Sequence, residues 1–176
     1  DRLVGFGSRQ LSTGEMSYDY DTIVPELAES WTISDDGLVF TFTLKPDATF
    51  TDGSPVTAAD VKWSFDRAVS VGGFPSTQMR AGGFFRPDQF EAVDDRTFVL
   101  RLDYPSKLSL PNLAVPVPFI INSAVAKANA TEDDPWATEY LHTTTAGSGA
   151  YTVTRWDQGQ QIVYDRNDAW VGGPQP

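Results

Sequence analysis

Apolar and polar residues alternate with a period of two along several short stretches, each closed by a turn-forming cluster. The clearest run sets Phe40, Phe42 and Leu44 against Thr41, Thr43 and Lys45. It follows Trp31 and Ile33, which alternate with Thr32 and Ser34, and the turn Ser34-Asp35-Asp36-Gly37, where Gly supplies a positive φ. Residues 29–45 therefore predict a β-hairpin with one buried face. Residues 90–93 and 97–102 predict a second, turning at Asp94-Asp95 with Phe98, Leu100 and Leu102 inward. Residues 151–156 and 162–166 predict a third, joined through Asp157-Gln158-Gly159.

A different period governs residues 57–71. Val61, Phe65, Ala68 and Val69 recur at helical spacing, with Lys62 and Asp66 paired outside. Thr57 and Asp60 fit the capping box at its start, and Gly72-Gly73 ends it. Residues 74–87 are Gly-rich and carry large side chains, which predicts an irregular loop facing a cleft rather than a linker. Short helices are expected at 107–113, broken by Pro111, at 123–128, capped by Ser123, and at 135–142, capped by Asp134. Pro116-Val117-Pro118-Phe119 is expected to be extended. The order of elements predicts an α+β fold, mostly antiparallel hairpins with a few helices.

The chain has 176 residues with 13 Lys+Arg against 24 Asp+Glu, a net charge of −11, which argues against nucleic acid as a partner. With no Cys and one His, His142, it offers no thiol nucleophile, no disulfide and no multi-His metal site, and no cofactor is called for. No apolar run approaches about 18 residues. Ser148, in Gly147-Ser148-Gly149, lacks the G-x-S-x-G pattern of a nucleophile elbow, and neither this stretch nor Gly172-Gly173-Pro174 has a phosphate loop's Lys. The pairs Asp35-Asp36, Asp94-Asp95 and Asp133-Asp134 invite a glycosidase reading, yet all three fall where Asp caps local backbone N–H groups. Thr131-Glu132-Asp133-Asp134 does not follow an EF-hand pattern, and the sequon Asn129-Ala130-Thr131 matters only in a eukaryotic secretory setting. What remains is aromatic: five Trp, six Tyr and eleven Phe, most of them expected in the core. Gln78, Met79 and Arg80 are the polar and flexible groups best placed to meet a small organic ligand.

Three stretches, in order, resemble the opening of the family-5 extracellular solute-binding proteins. They are Val24-Pro25-Glu26-Leu27-Ala28-Glu29-Ser30-Trp31, then Ser34-Asp35-Asp36-Gly37-Leu38 leading into Phe40-Thr41-Phe42-Thr43-Leu44, then residues 50–61 (Phe50-Thr51-Asp52-Gly53-Ser54-Pro55 and onward) with Ser64-Phe65. Gly147-Ser148-Gly149-Ala150-Tyr151 and Arg166-Asn167-Asp168-Ala169-Trp170 are similar to later signatures, with Ala150 where Pro is usual and no Tyr before Trp170. The segment 8–20 is longer than the common pattern.

The resemblance implies the periplasmic binding component of an ABC importer: a type II-like fold of two lobes that closes on a ligand without catalysis, then docks on a membrane permease. This chain would be a fragment of lobe I, with about 25–145 a small β-rich subdomain, about 146–176 a return into the main lobe sheet, and the second lobe absent. The lack of a Met at Asp1 and the ending at Pro176 fit processing or a cut from a longer chain. Peptides are the expected ligands, although nickel chelates, sugars and opines are also bound in the family. The expected location is periplasmic, or anchored by lipid outside the cytoplasmic membrane. By position, the ligand-facing residues would be Phe74, Gln78, Met79, Arg80, Phe84, Val117 and Phe119. Exposed lobe surface should make the chain self-associate and bind ligand weakly.

Two alternatives carry different expectations. A free-standing carbohydrate-binding module requires a planar row of exposed aromatics. A carboxylate-based glycoside hydrolase requires two carboxyl groups within about 5–10 Å in a cleft. The solute-binding reading expects Trp31, Phe40, Phe42 and Tyr151 buried, and no exposed aromatic platform.

Overall fold

The alternation around Phe42 builds the centre of the molecule. A computed structural model describes residues 1–172, so the end of the expected Gly172-Gly173-Pro174 turn lies outside the described residues. Strands β3 (Ala28–Ile33) and β4 (Val39–Leu44) form the first predicted hairpin. Strands β5 (Phe90–Ala92) and β6 (Thr97–Arg101) form the second. Together they make one antiparallel sheet of order β3-β4-β6-β5. The register sets Phe42 opposite Phe98 and Phe40 opposite Leu100, so the apolar positions of both hairpins share one face.

Helix α1 (Ala58–Ser70) covers that face. Its Phe65 ring lies 5.2 Å from both Phe90 and Phe98, centroid to centroid. Asp60 organises the start of the helix: Oδ2 accepts from the Thr57 N–H at 3.0 Å and the Thr57 hydroxyl at 2.7 Å. Its Oδ1 accepts from the Ser123 N–H at 2.9 Å, joining α1 to a segment more than sixty residues away. The expected Lys62–Asp66 pair forms at 2.6 Å. Burial pushes the Asp66 carboxyl up, and Lys62 opposes this.

The expected loop at 74–87 is corrected: its first part is a helix, α2 (Gly73–Ala81). Pro75 sits in the first turn, where a missing N–H breaks no intrahelical bond. Gly72, at φ 76°, reverses the chain between α1 and α2. Ser76 staples the two helices, its hydroxyl donating to the Ala68 carbonyl at 3.0 Å and accepting from the Gly72 N–H at 2.9 Å.

Three shorter helices follow: α3 (Ser109–Asn112), α4 (Ser123–Ala128) and α5 (Thr138–Leu141). The cap of α4 is Asn122 rather than Ser123; Asn122 Oδ1 accepts from the Ala124 and Val125 N–H groups at 3.1 Å. α5 is shorter than expected because Ala137 takes a left-handed conformation ahead of it, at φ 50°. Asp134 still accepts from the Glu139 N–H at 2.9 Å. The 116–119 stretch is bent rather than extended. Val117 and Phe119 each donate to the carbonyl two residues back, at 2.8 Å, the bond of a γ-turn.

Two separate two-stranded ribbons flank this body. β1 (Val4–Gln10) pairs with β2 (Met16–Pro25), a hairpin unforeseen in the sequence, with a bulge between Phe6 and Gly7. β7 (Tyr151–Asp157) pairs with β8 (Gln161–Arg166) as expected. Every residue of β8 is exposed, so both faces of that ribbon lack a covering layer. Phe40 and Phe42 are buried as expected, Trp31 is half-buried, and Tyr151 is corrected to exposed at 43%. Tyr151 opens a ribbon that, among the described residues, pairs with no other strand.

Candidate functional site

An apolar trough lies between the β1–β2 ribbon, α2 and α3. Two adjoining hollows, of about 240 and 320 Å³, share Phe6 and Val115. Gln78 and Ala81 of α2, with Leu108, Pro111 and Asn112 at α3, line the first. Arg2, Tyr18, Tyr20, Ala114 and Pro116 line the second.

Local sequence explains the walls. Tyr18 and Tyr20 are two apart on β2, so the pleat places both on one face. Their centroids lie 6.1 Å apart, and Phe6 packs edge-on against Tyr20 at 5.1 Å. On α2, Phe74, Gln78 and Ala81 fall at i, i+4 and i+7, one helical stripe. Pro111 and Pro116 stiffen the opposite wall.

The trough holds one ionic group, and that group is already neutralised. Arg2 pairs with Glu26, Nη2 to Oε1 at 2.5 Å and Nε to Oε2 at 3.3 Å, and its Nη1 donates to the Ala114 carbonyl. The polar element is a pair of amides: Gln78 Nε2 donates to Asn112 Oδ1 at 2.6 Å. This composition suits an uncharged, largely apolar group.

The seven residues expected to face ligand separate on inspection. Gln78 lines the trough, and Phe74 stands on the same stripe of α2, 69% exposed. Arg80 is exposed, but helical geometry turns it about 120° from Phe74 around the axis. Met79 and Phe84 are fully buried in the main core and present no surface to a ligand. Val117 is half-buried against the core and Phe119 is exposed; in that stretch Val115 and Pro116 line the trough instead. Phe6, Tyr18 and Tyr20 were missed. The alternation of Met16, Tyr18 and Tyr20 with Ser17, Asp19 and Asp21 was the available signal.

The alternatives meet different arrangements. Aromatics are exposed, against expectation, yet the rings at the trough are not coplanar: Tyr18 and Tyr20 are inclined at 39° and Phe6 and Tyr20 at 73°. One carboxylate of each turn pair is used locally. The Ser34 hydroxyl, then the Leu38 N–H, lower the Asp36 pKa. The Arg96 N–H, followed by Thr97, lowers that of Asp94. The N–H groups of Thr138 and Glu139 lower that of Asp134. A general acid needs the opposite shift. Among the described residues, no three His, Cys, Asp or Glu side chains gather as metal ligands.

Comparison with known proteins agrees with the fold. The chain is 40% identical over 147 residues to the probable D,D-dipeptide-binding periplasmic protein DdpA of Escherichia coli (strain K12), covering 84% of this chain and 27% of that protein. It is 33% identical over 176 residues to the glutathione-binding protein GsiB of Pectobacterium atrosepticum, covering 98% of this chain and 32% of that one. Among solved structures, the periplasmic binding protein AgaA of A. tumefaciens R10, in complex with agropinic acid, superposes with a TM-score of 0.74 at 30% identity, over 97% of this chain and 30% of that chain. DppA of Helicobacter pylori, in complex with the peptide STSA, also gives 0.74, at 26% identity, over 99% of this chain and 34% of that chain. The chain thus spans roughly a quarter to a third of the length of these relatives. The model of the bacterial extracellular solute-binding proteins, family 5, matches residues 22–176, and the chain belongs to that family.

Proposed function

We propose that this chain forms part of the ligand-capturing protein of an ABC importer, located in the periplasm, with peptides or similarly sized solutes as ligands. The observation that carries the reading is the trough, a concave apolar surface with one amide pair and no unpaired charge. It is open to solvent, as a surface that a second lobe would close should be. Closure would exclude water from the ligand and strengthen its polar contacts without making or breaking a bond. Delivery would then require docking on the membrane permease. Relatives named for dipeptides and glutathione support this ligand class. No helix among the described residues is long and apolar enough to cross a membrane.

The proposed organisation keeps residues of about 25–145 as a small β-rich subdomain and about 146–176 as a return into a larger lobe sheet. The exposed β7–β8 ribbon then becomes the region where the chain associates with itself. Native mass spectrometry of the purified chain tests both parts. An empty dimer agrees with the whole proposal; a co-purifying peptide agrees with the ligand class but, like a strictly monomeric chain with micromolar peptide affinity, contradicts the view that the site is incomplete.

A further inference from the structure

We propose that Gln78, positioned by Asn112, is the polar recognition element of the trough and selects an uncharged amide group of the ligand. The inference rests on the trough being the ligand-facing surface. Asn112 is only 6% exposed, and its side chain is held on two sides. Oδ1 accepts from Gln78, while Nδ2 lies against Gly82, where an added Cβ would come within 2.5 Å of it. Nδ2 is buried without a hydrogen-bond partner. Leaving such a donor unpaired is costly to stability.

The consequence falls on Gln78, which is half-buried and reaches the hollow. One N–H of its Nε2 is committed to Asn112, whereas no described donor meets Oε1. Gln78 therefore offers one acceptor and one remaining donor from a single plane. Turning both amides over together, with Gln78 accepting from Asn112, also leaves a donor for the trough. A donor beside an acceptor is complementary to a peptide group or a carboxamide. A carboxylate or ammonium would find only half of its needs met, and Arg2 is already occupied by Glu26. Phe6, Ala81, Leu108 and Val115 would take the apolar substituent next to that amide.

Amide NMR of the full 176-residue chain tests this with two probes, N-acetyl-L-leucine methylamide and free L-leucine, each titrated to about 50 mM to reach millimolar dissociation constants. The capped probe should shift the side-chain amide signals of Gln78 and Asn112 together with the backbone signals of Tyr18 and Val115. Free leucine should not. Gln78→Leu, which keeps the volume and removes both polar groups, should weaken capped-probe binding about 2- to 12-fold, the worth of roughly one neutral hydrogen bond. Unchanged affinity in Gln78→Leu, or equal binding of free leucine, with Tyr18 and Val115 still shifting, would overturn the role of Gln78 and leave the trough reading standing. If neither probe shifts any trough residue, both fall.

Discussion

Replacing Asp60 by Ala tests the account of how α1 is anchored. The substitution removes an acceptor for the Thr57 N–H and the Ser123 N–H, both near a carboxylate that is only 7% exposed. Loss of the N-terminal cap costs about 0.5–2 kcal/mol. The Ser123 N–H, left buried without its charged acceptor, costs a further ~1–3 kcal/mol. The sum, about 1.5–5 kcal/mol, should lower Tm by roughly 3–20 °C for a domain of this size. Urea unfolding followed by far-UV circular dichroism, with Tm measured in parallel, reads both quantities. Asp66→Asn is the control. Asp66 lies on the same helix, but its burial already opposes ionisation, so neutralising it should change stability little beyond losing the partly exposed Lys62 pair. A loss below about 1 kcal/mol in Asp60→Ala would mean that α1 and α4 are held by packing alone, and would refute the anchoring role.

Met79→Ala should destabilise the fold by about 2–5 kcal/mol through a core cavity, while the capped amide probe, once the variant is folded, still binds within about twofold; NMR titration below the variant's Tm checks this. The turn carboxylates Asp36, Asp94 and Asp134 have folded pKa values below their ordinary range, so their contribution is present above the unfolded pKa and is lost as pH falls through the folded values. A urea series from neutral to acidic pH should therefore show stability falling on acidification, and less so in Asp94→Asn. Tyr164→Lys with Ile162→Lys should shift any dimer toward monomer in size-exclusion chromatography with light scattering, because both side chains are exposed on β8. An unchanged dimer would place the contact elsewhere.

Much of the fold was legible because it is encoded by near neighbours. The pleat around Phe42, the helical stripe through Val61 and Phe65, and the cap between Thr57 and Asp60 each depend on residues within a few positions. The family resemblance drew on the same stretches. Local signals misled where two readings of one residue compete. Pro75 and the surrounding glycines looked like loop chemistry, but Pro in a first turn and Gly at a reversal are equally the marks of two helices meeting. For the same reason Met79 and Phe84 passed for cleft residues: a large side chain on an apparent loop has no assigned interior until the helix that turns it inward is known.

The candidate site divides along the same line. The sequence alone determined that the chain is mostly antiparallel α+β, since hydrophobic period and turn chemistry are properties of the chain itself, and its ordered motifs carried the resemblance to the family-5 solute-binding proteins. Tertiary structure decided which residues form the trough. Phe6, Gln78 and Asn112 come from three distant segments, and the 2.6 Å bond between the last two spans 34 positions. No local pattern encodes such a meeting; it exists only once α2 and α3 have packed against the ribbon and placed those side chains together.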